Sequence, residues 1–138
     1  MNILDRQKRI SNAFKKIHEE IFYKIKDFEE DSKILDDVWE KKDLGQGNSI
    51  VIDDGNFFDK AGINFSSISG KSLPESSVGN KSKSMGLPFF ATGVSVVFHP
   101  KNPYIPTSHL NVRYFCTYKK DKVFEEWFGG GFDLTPYI

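Results

Sequence analysis

VSVVFH, residues 94–99, and HLNVRYFC, residues 109–116, flank the connector PKNPYIPTS at 100–108. Both flanks alternate in the two-residue period of a β-strand. One face of the first takes Val94, Val96 and Phe98, the other Ser95, Val97 and His99. In the second, Leu110, Val112, Tyr114 and Cys116 oppose His109, Asn111, Arg113 and Phe115. The apolar sets call for a core, so the fold is decided here: an antiparallel sheet with one covered face. Pro100, Pro103 and Pro106 stiffen the connector, because each fixes φ and extends its predecessor. The spacing predicts pairing with His99 opposite His109, Val97 opposite Asn111, and Ser95 opposite Arg113. Opposed residues stand about 4.5–5.5 Å apart at Cβ. One patch would then hold two imidazoles, an amide, a hydroxyl and a guanidinium.

Working outward, residues 3 to 30 read as an amphipathic helix, with Ile10, Phe14, Ile17, Ile21, Ile25 and Phe28 at helical spacing. His18 lies beside that stripe and reads as a surface or boundary residue. From 39 to 138 the texture is that of strands and turns. LGQGNSIVIDDGNFF (44–58) contains Asp54-Gly55, the dipeptide of a tight hairpin. Gly45 and Gly47 lack the third glycine and the lysine of a phosphate loop and read as an ordinary loop. Residues 66 to 84 hold eight serines with Gly, Pro and Lys and read as an exposed, mobile loop. One helix ahead of turn-linked strands makes the chain α+β, a single domain with an antiparallel sheet and helical cover.

Composition narrows the function. Nineteen basic residues balance nineteen acidic ones, so no overall field draws in nucleic acid or an anionic membrane. No apolar run is long enough to span a bilayer, and MNILDRQKRI lacks the core of a signal peptide. A lone cysteine excludes an internal disulfide and fits the reducing cytoplasm. Thirteen Phe, five Tyr and two Trp suit an aromatic core or a pocket for a flat ligand.

The polar set around the connector has two readings. It is the wet side of a sheet, or it is a site. The face carries no Lys or Glu in a chain rich in both. Asn and Arg are directional, and a guanidinium fork matches a carboxylate. Two histidines alone do not close a metal site, and alternation sends Cys116 to the core face as an inert thiol. WFGGGFDLTPY (127–137) adds three consecutive glycines, which fit either a flexible turn or a surface cleared for close approach of a ligand. Asp133 stands at its edge as an anionic acceptor.

HPKNPYIPTSHLNVRYF (99–115) and WFGGGFDLTPY together resemble the oxygen-dependent coproporphyrinogen III oxidases. NFFDKAGINFSSISG (56–70) and FFATGVSVVFHP (89–100) resemble two further segments of that family. The likeness runs from about Trp39 to the last residue. It departs at Gly45-Gln46-Gly47-Asn48, where the family usually has four glycines. It implies oxidative decarboxylation of two propionates of coproporphyrinogen III to vinyl groups in haem biosynthesis. Dioxygen would be the co-substrate, no organic cofactor would be used, and the assembly would be a homodimer built on a large antiparallel sheet. Ser95, Asn111, Val112 and Arg113 would contact substrate, and His109 would donate a proton. Asp133 would accept from pyrrole N–H groups, and His99 with His109 would meet a divalent metal. The family's domain is roughly twice this length, so the chain is expected to represent its first half. A catalytically inactive tetrapyrrole- or carboxylate-binding remnant is the alternative the sequence leaves open.

Overall fold

A computed structural model describes residues 2–74 and 83–138. It begins with α1 (Ile3–Ile25), which Asn2 caps by accepting the Asp5 N–H at 2.9 Å. Two single 3₁₀ turns, Lys26–Phe28 and Asp31–Lys33, carry the chain from the helix into the sheet, so regular α-helix stops five residues before 30. Six strands follow: β1 (Ile34–Lys41), β2 (Gly45–Asp53), β3 (Phe58–Gly70), β4 (Phe89–Pro100), β5 (Thr107–Lys119) and β6 (Lys122–Thr135). Each pairs antiparallel with its neighbour in sequence, giving a meander ordered 1-2-3-4-5-6. The α+β reading holds.

The turns follow from residue choice. Asp54 takes φ 50°, and the Asp54 and Gly55 amides bond back to the carbonyls of Asp59 and Phe58, closing the hairpin expected at Asp54-Gly55. Lys120 and Asp121 both take positive φ, as a two-residue hairpin matched to sheet twist requires. Glu29 locks the β2–β3 turn from outside by accepting the amides of Asn56, Phe57 and Phe58, the last two at 2.8 Å. Burial would raise that carboxyl, but the three N–H donors outweigh it and hold the group below its ordinary range.

α1 lies on one face of the sheet, over β3 and β4. Beneath it sit Ile50, Ile63, Phe65, Phe90, Val94, Val96, Tyr114 and Cys116, joined by Phe14 of the helix. Val94, Val96, Tyr114 and Cys116 belong to the apolar sets of the two alternating strands, whose other members Phe98, Leu110 and Val112 are half-buried against this core. Cys116 is fully buried, and burial pushes its thiol up. The helix meets the sheet on a different line from the expected stripe. Ile3, Gln7, Ser11, Phe14 and His18 are buried, whereas Ile17 and Phe28 are 38% and 52% exposed. Of these polar residues, His18 finds a partner in the sheet, whereas Gln7 Nε2 is buried without one. His18, expected at the surface, is buried, donates from Nε2 to the Ile63 carbonyl at 2.9 Å and faces the Phe65 ring. Nearby, Arg6 Nη2 donates to both oxygens of Glu126, at 2.7 and 2.9 Å, and Tyr114 donates to the same carboxylate at 2.6 Å. Burial and that carboxylate push the Tyr114 phenol well up. The triad ties the start of α1 to β6.

Two other expectations change. Ser66 to Gly70 belong to β3, because Phe65-Ser66-Ser67-Ile68 continues the strand alternation: Ser67 is buried, Ser66 faces away from the helix. Of the remainder of that serine-rich stretch, residues 75–82 lie outside the described residues, and Ser84 is buried against Thr117. Gly45 and Gly47 are strand residues, and the Trp39 ring of β1 lies over Gly47, where any Cβ would collide with it. Among the described residues, no helix is long and apolar enough to cross a membrane.

Candidate functional site

The face turned away from α1 is floored by small side chains. Strand pairing places Asn64, Ser95, Asn111 and Gly131 in one row across β3 to β6. The next row is Ser66, Gly93, Arg113 and Gly129, and the row on the other side is Gly62, Val97, His109 and Asp133. This corrects the expected register by two residues: Val97 opposes His109, Ser95 opposes Asn111, and Gly93 opposes Arg113. A two-residue slip leaves every side chain on its face, so Ser95, His99, His109, Asn111 and Arg113 share one surface as read from the sequence.

The glycines shape that surface. WFGGG is a regular part of β6, not a turn. A Cβ at Gly129 or Gly131 would meet nothing within 4 Å, so the space above them is open. Gly130 faces the other way, and a Cβ there would stand 2.6 Å from the Asn111 carbonyl oxygen. At Gly93 a Cβ would stand 2.8 Å from the Val112 carbonyl and 3.1 Å from Arg113 Cβ. Glycine therefore lets β4 close on β5 where Arg113 emerges.

Arg113 is exposed, and among the described residues it has no hydrogen-bond or ion-pair partner. A guanidinium between two glycines, left unpaired, is free to fork onto a carboxylate. It borders a depression of about 260 Å³ that Asn64, Ser66, Ser95 and Asn111 also line. That is below the roughly 300–1,000 Å³ of pockets that enclose a ligand, so the surface is a platform. Larger hollows exist elsewhere. One of about 410 Å³ runs between α1 and Phe128 and is almost wholly apolar apart from Arg6 and Arg9. The platform is smaller but carries the directional groups. Asn111 Oδ1 is buried there with no donor, an unsatisfied acceptor in the floor.

The other sequence-read residues divide. Asp133 Oδ2 stands 3.5 Å from His109 Nδ1, and both side chains are well exposed, so the pair orients the imidazole at the surface. Val112 turns its side chain into the core and offers the platform only its backbone. His99 lies one row beyond His109, with Thr107 Oγ1 at 3.4 Å from its Nδ1. Diagonal neighbours across antiparallel strands stand roughly 7–8 Å apart. No group of three or more His, Cys, Asp or Glu side chains gathers among the described residues, so these residues do not fit a closed metal site. Sequence reading did not single out Asn64, assigned Ser66 to a supposed loop, and placed Phe115 on the Arg113 face without seeing that Trp127 pairs with it. Alternation through residues 63–68 was the signal for the first two.

This open sheet face, with a guanidinium unpaired among the described residues, a His–Asp pair and a glycine-cleared floor, has the groups to take up a carboxylate. The chain belongs to the coproporphyrinogen III oxidase family, whose model matches residues 9–138. The family places it among the oxidoreductases of porphyrin biosynthesis.

Proposed function

We propose that this chain carries out the aerobic oxidative decarboxylation of coproporphyrinogen III to protoporphyrinogen IX. The observation that carries this reading is Arg113, without a partner among the described residues, on a floor of small residues inside a chain of this family. Arg113 takes one propionate in a fork, and Ser95 and Asn111 bind beside it. The Val112 backbone completes that contact. Each reacting propionate loses the bond to its carboxylate carbon as carbon dioxide. It also loses one hydrogen from the carbon next to the ring, leaving a vinyl group, a proton and two electrons. Two side chains release four electrons, which reduce one dioxygen to two waters with four protons, two of them drawn from solvent. The electron-rich macrocycle is itself the reductant, so no organic cofactor is invoked. His109 delivers protons toward the reduced oxygen as a general acid. Asp133 orients it and accepts from pyrrole N–H groups. The working assembly is a homodimer, for which the exposed apolar strip of Phe128, Phe132 and Leu134 on β6 is a suitable contact.

One observation favours the second reading, a binding protein without turnover. Arg113 is the only cation on the central floor of β3 to β6, whereas the substrate carries four carboxylates. The chain is incubated with coproporphyrinogen III without oxygen, air is admitted, and the products are separated by chromatography. Time-dependent vinyl products are the expected result. Substrate retained by the protein, unchanged in air, would favour binding alone and contradict the oxidase reading.

A further inference from the structure

The row next to Arg113 on the open face is aromatic. Phe115 lies two residues along β5 from Arg113, and across the pairing it meets Trp127 with ring centroids 4.4 Å apart and planes at 30°. Phe89 stacks behind Phe115 at 6.2 Å and 18°, and Phe89 itself lies over Gly70. Three rings in succession thus back one another, and Trp127 is the last of them. Its residue is 46% exposed although it is large and apolar. Gly129, two residues on, is the partner of Arg113 and leaves open space above it. Trp127 and Arg113 are therefore diagonal neighbours, roughly 7–8 Å apart. That distance is spanned by an aromatic ring carrying a short acid arm. Two further exposed rings of β6, Phe128 and Phe132, point to the helix side, away from Arg113.

We propose that Trp127, held by Phe115, is a ring-binding residue, against which one pyrrole ring of the ligand packs while Arg113 holds that ring's carboxylate. This rests on the tetrapyrrole reading above and adds to it a residue that distinguishes a ring bearing a carboxylate from a carboxylate alone. The backing rings supply the rigidity that makes such a wall selective, because little side-chain freedom is lost on binding.

Calorimetric titration of the 138-residue chain with two probes tests it. Coproporphyrin III, the stable flat relative of the substrate, offers rings and four carboxylates. Butane-1,2,3,4-tetracarboxylate offers the carboxylates alone. Trp127→Ala is expected to weaken porphyrin binding about tenfold, the effect of losing one aromatic stack, and to leave tetracarboxylate binding unchanged. Trp127→Phe is expected to restore most of the porphyrin affinity. Arg113→Ala is expected to weaken both probes. Porphyrin binding unaffected by Trp127→Ala, or both probes weakened alike by it, overturns the ring-binding role while leaving the carboxylate platform standing. Failure of Trp127→Phe to rescue also overturns it. Binding of neither probe by the unsubstituted chain contradicts both readings.

Discussion

Replacing Arg113 with alanine is expected to weaken binding of coproporphyrin III by about 10–100-fold, the loss of a charge-assisted bond to a carboxylate. The fold should barely notice. Arg113 is exposed and unpartnered among the described residues, and surface substitutions away from structural contacts stay within about 0.5 kcal/mol. Arg113→Lys keeps the charge but not the planar fork, so it should recover only part of the affinity. Affinity from titration and the urea unfolding midpoint, measured on the same samples, check this. Matched losses in both would mean that Arg113 is part of the scaffold and not of a site.

The adjacent glycines Gly130 and Gly131 should respond in opposite ways. At Gly131 an added side chain meets open space, so Gly131→Val should fold normally. Glycine in a strand interior is itself unfavourable, so valine should even stabilise β6 somewhat. The valine would stand on the floor beside Asn111, and coproporphyrin III should no longer settle there. At Gly130 a Cβ would come within 2.6 Å of the Asn111 carbonyl oxygen and 3.3 Å of Val112. Neither backbone group can yield without parting β5 from β6. Gly130→Ala should therefore cost about 1–3 kcal/mol, as overpacking does, visible as an earlier unfolding midpoint. A Gly131→Val chain that binds as tightly as the parent would show that the ligand lies elsewhere.

Much of this surface was legible in the sequence because parity is. Alternation in 94–99 and 109–116 assigns Ser95, His109, Asn111 and Arg113 to one face whatever the pairing, since a slip of two residues changes no face. The register was not legible. It is set by where the Pro-rich turn closes, and the Ile105 amide bonding back to the Asn102 carbonyl shortens the connector to residues 101–106. That moves His109 from opposite His99 to opposite Val97. Ser66 was lost to a composition rule. Serines mark loops when no strand claims them, but here β3 continues to Gly70 and uses small side chains to keep the floor low. His18 was misjudged for a related reason: its burial depends on the Ile63 carbonyl across the core, a partner that helical spacing cannot reveal. The glycines of 129–131 were ambiguous until strand pairing gave the outer two to the open face and the middle one to the Asn111 backbone.

The location of the ligand is the claim on which the rest stands, and amide chemical shifts of the isotope-labelled chain during titration with coproporphyrin III report it most directly. A porphyrin ring shifts nearby nuclei strongly and distant ones hardly at all. Binding on the platform predicts the largest shifts at Ser95, Asn111, Arg113, Gly129 and Gly131, with Ile10, Phe14 and Ile17 of α1 nearly unmoved. The largest shifts along those α1 residues and Phe128, the apolar hollow on the opposite face, would contradict it.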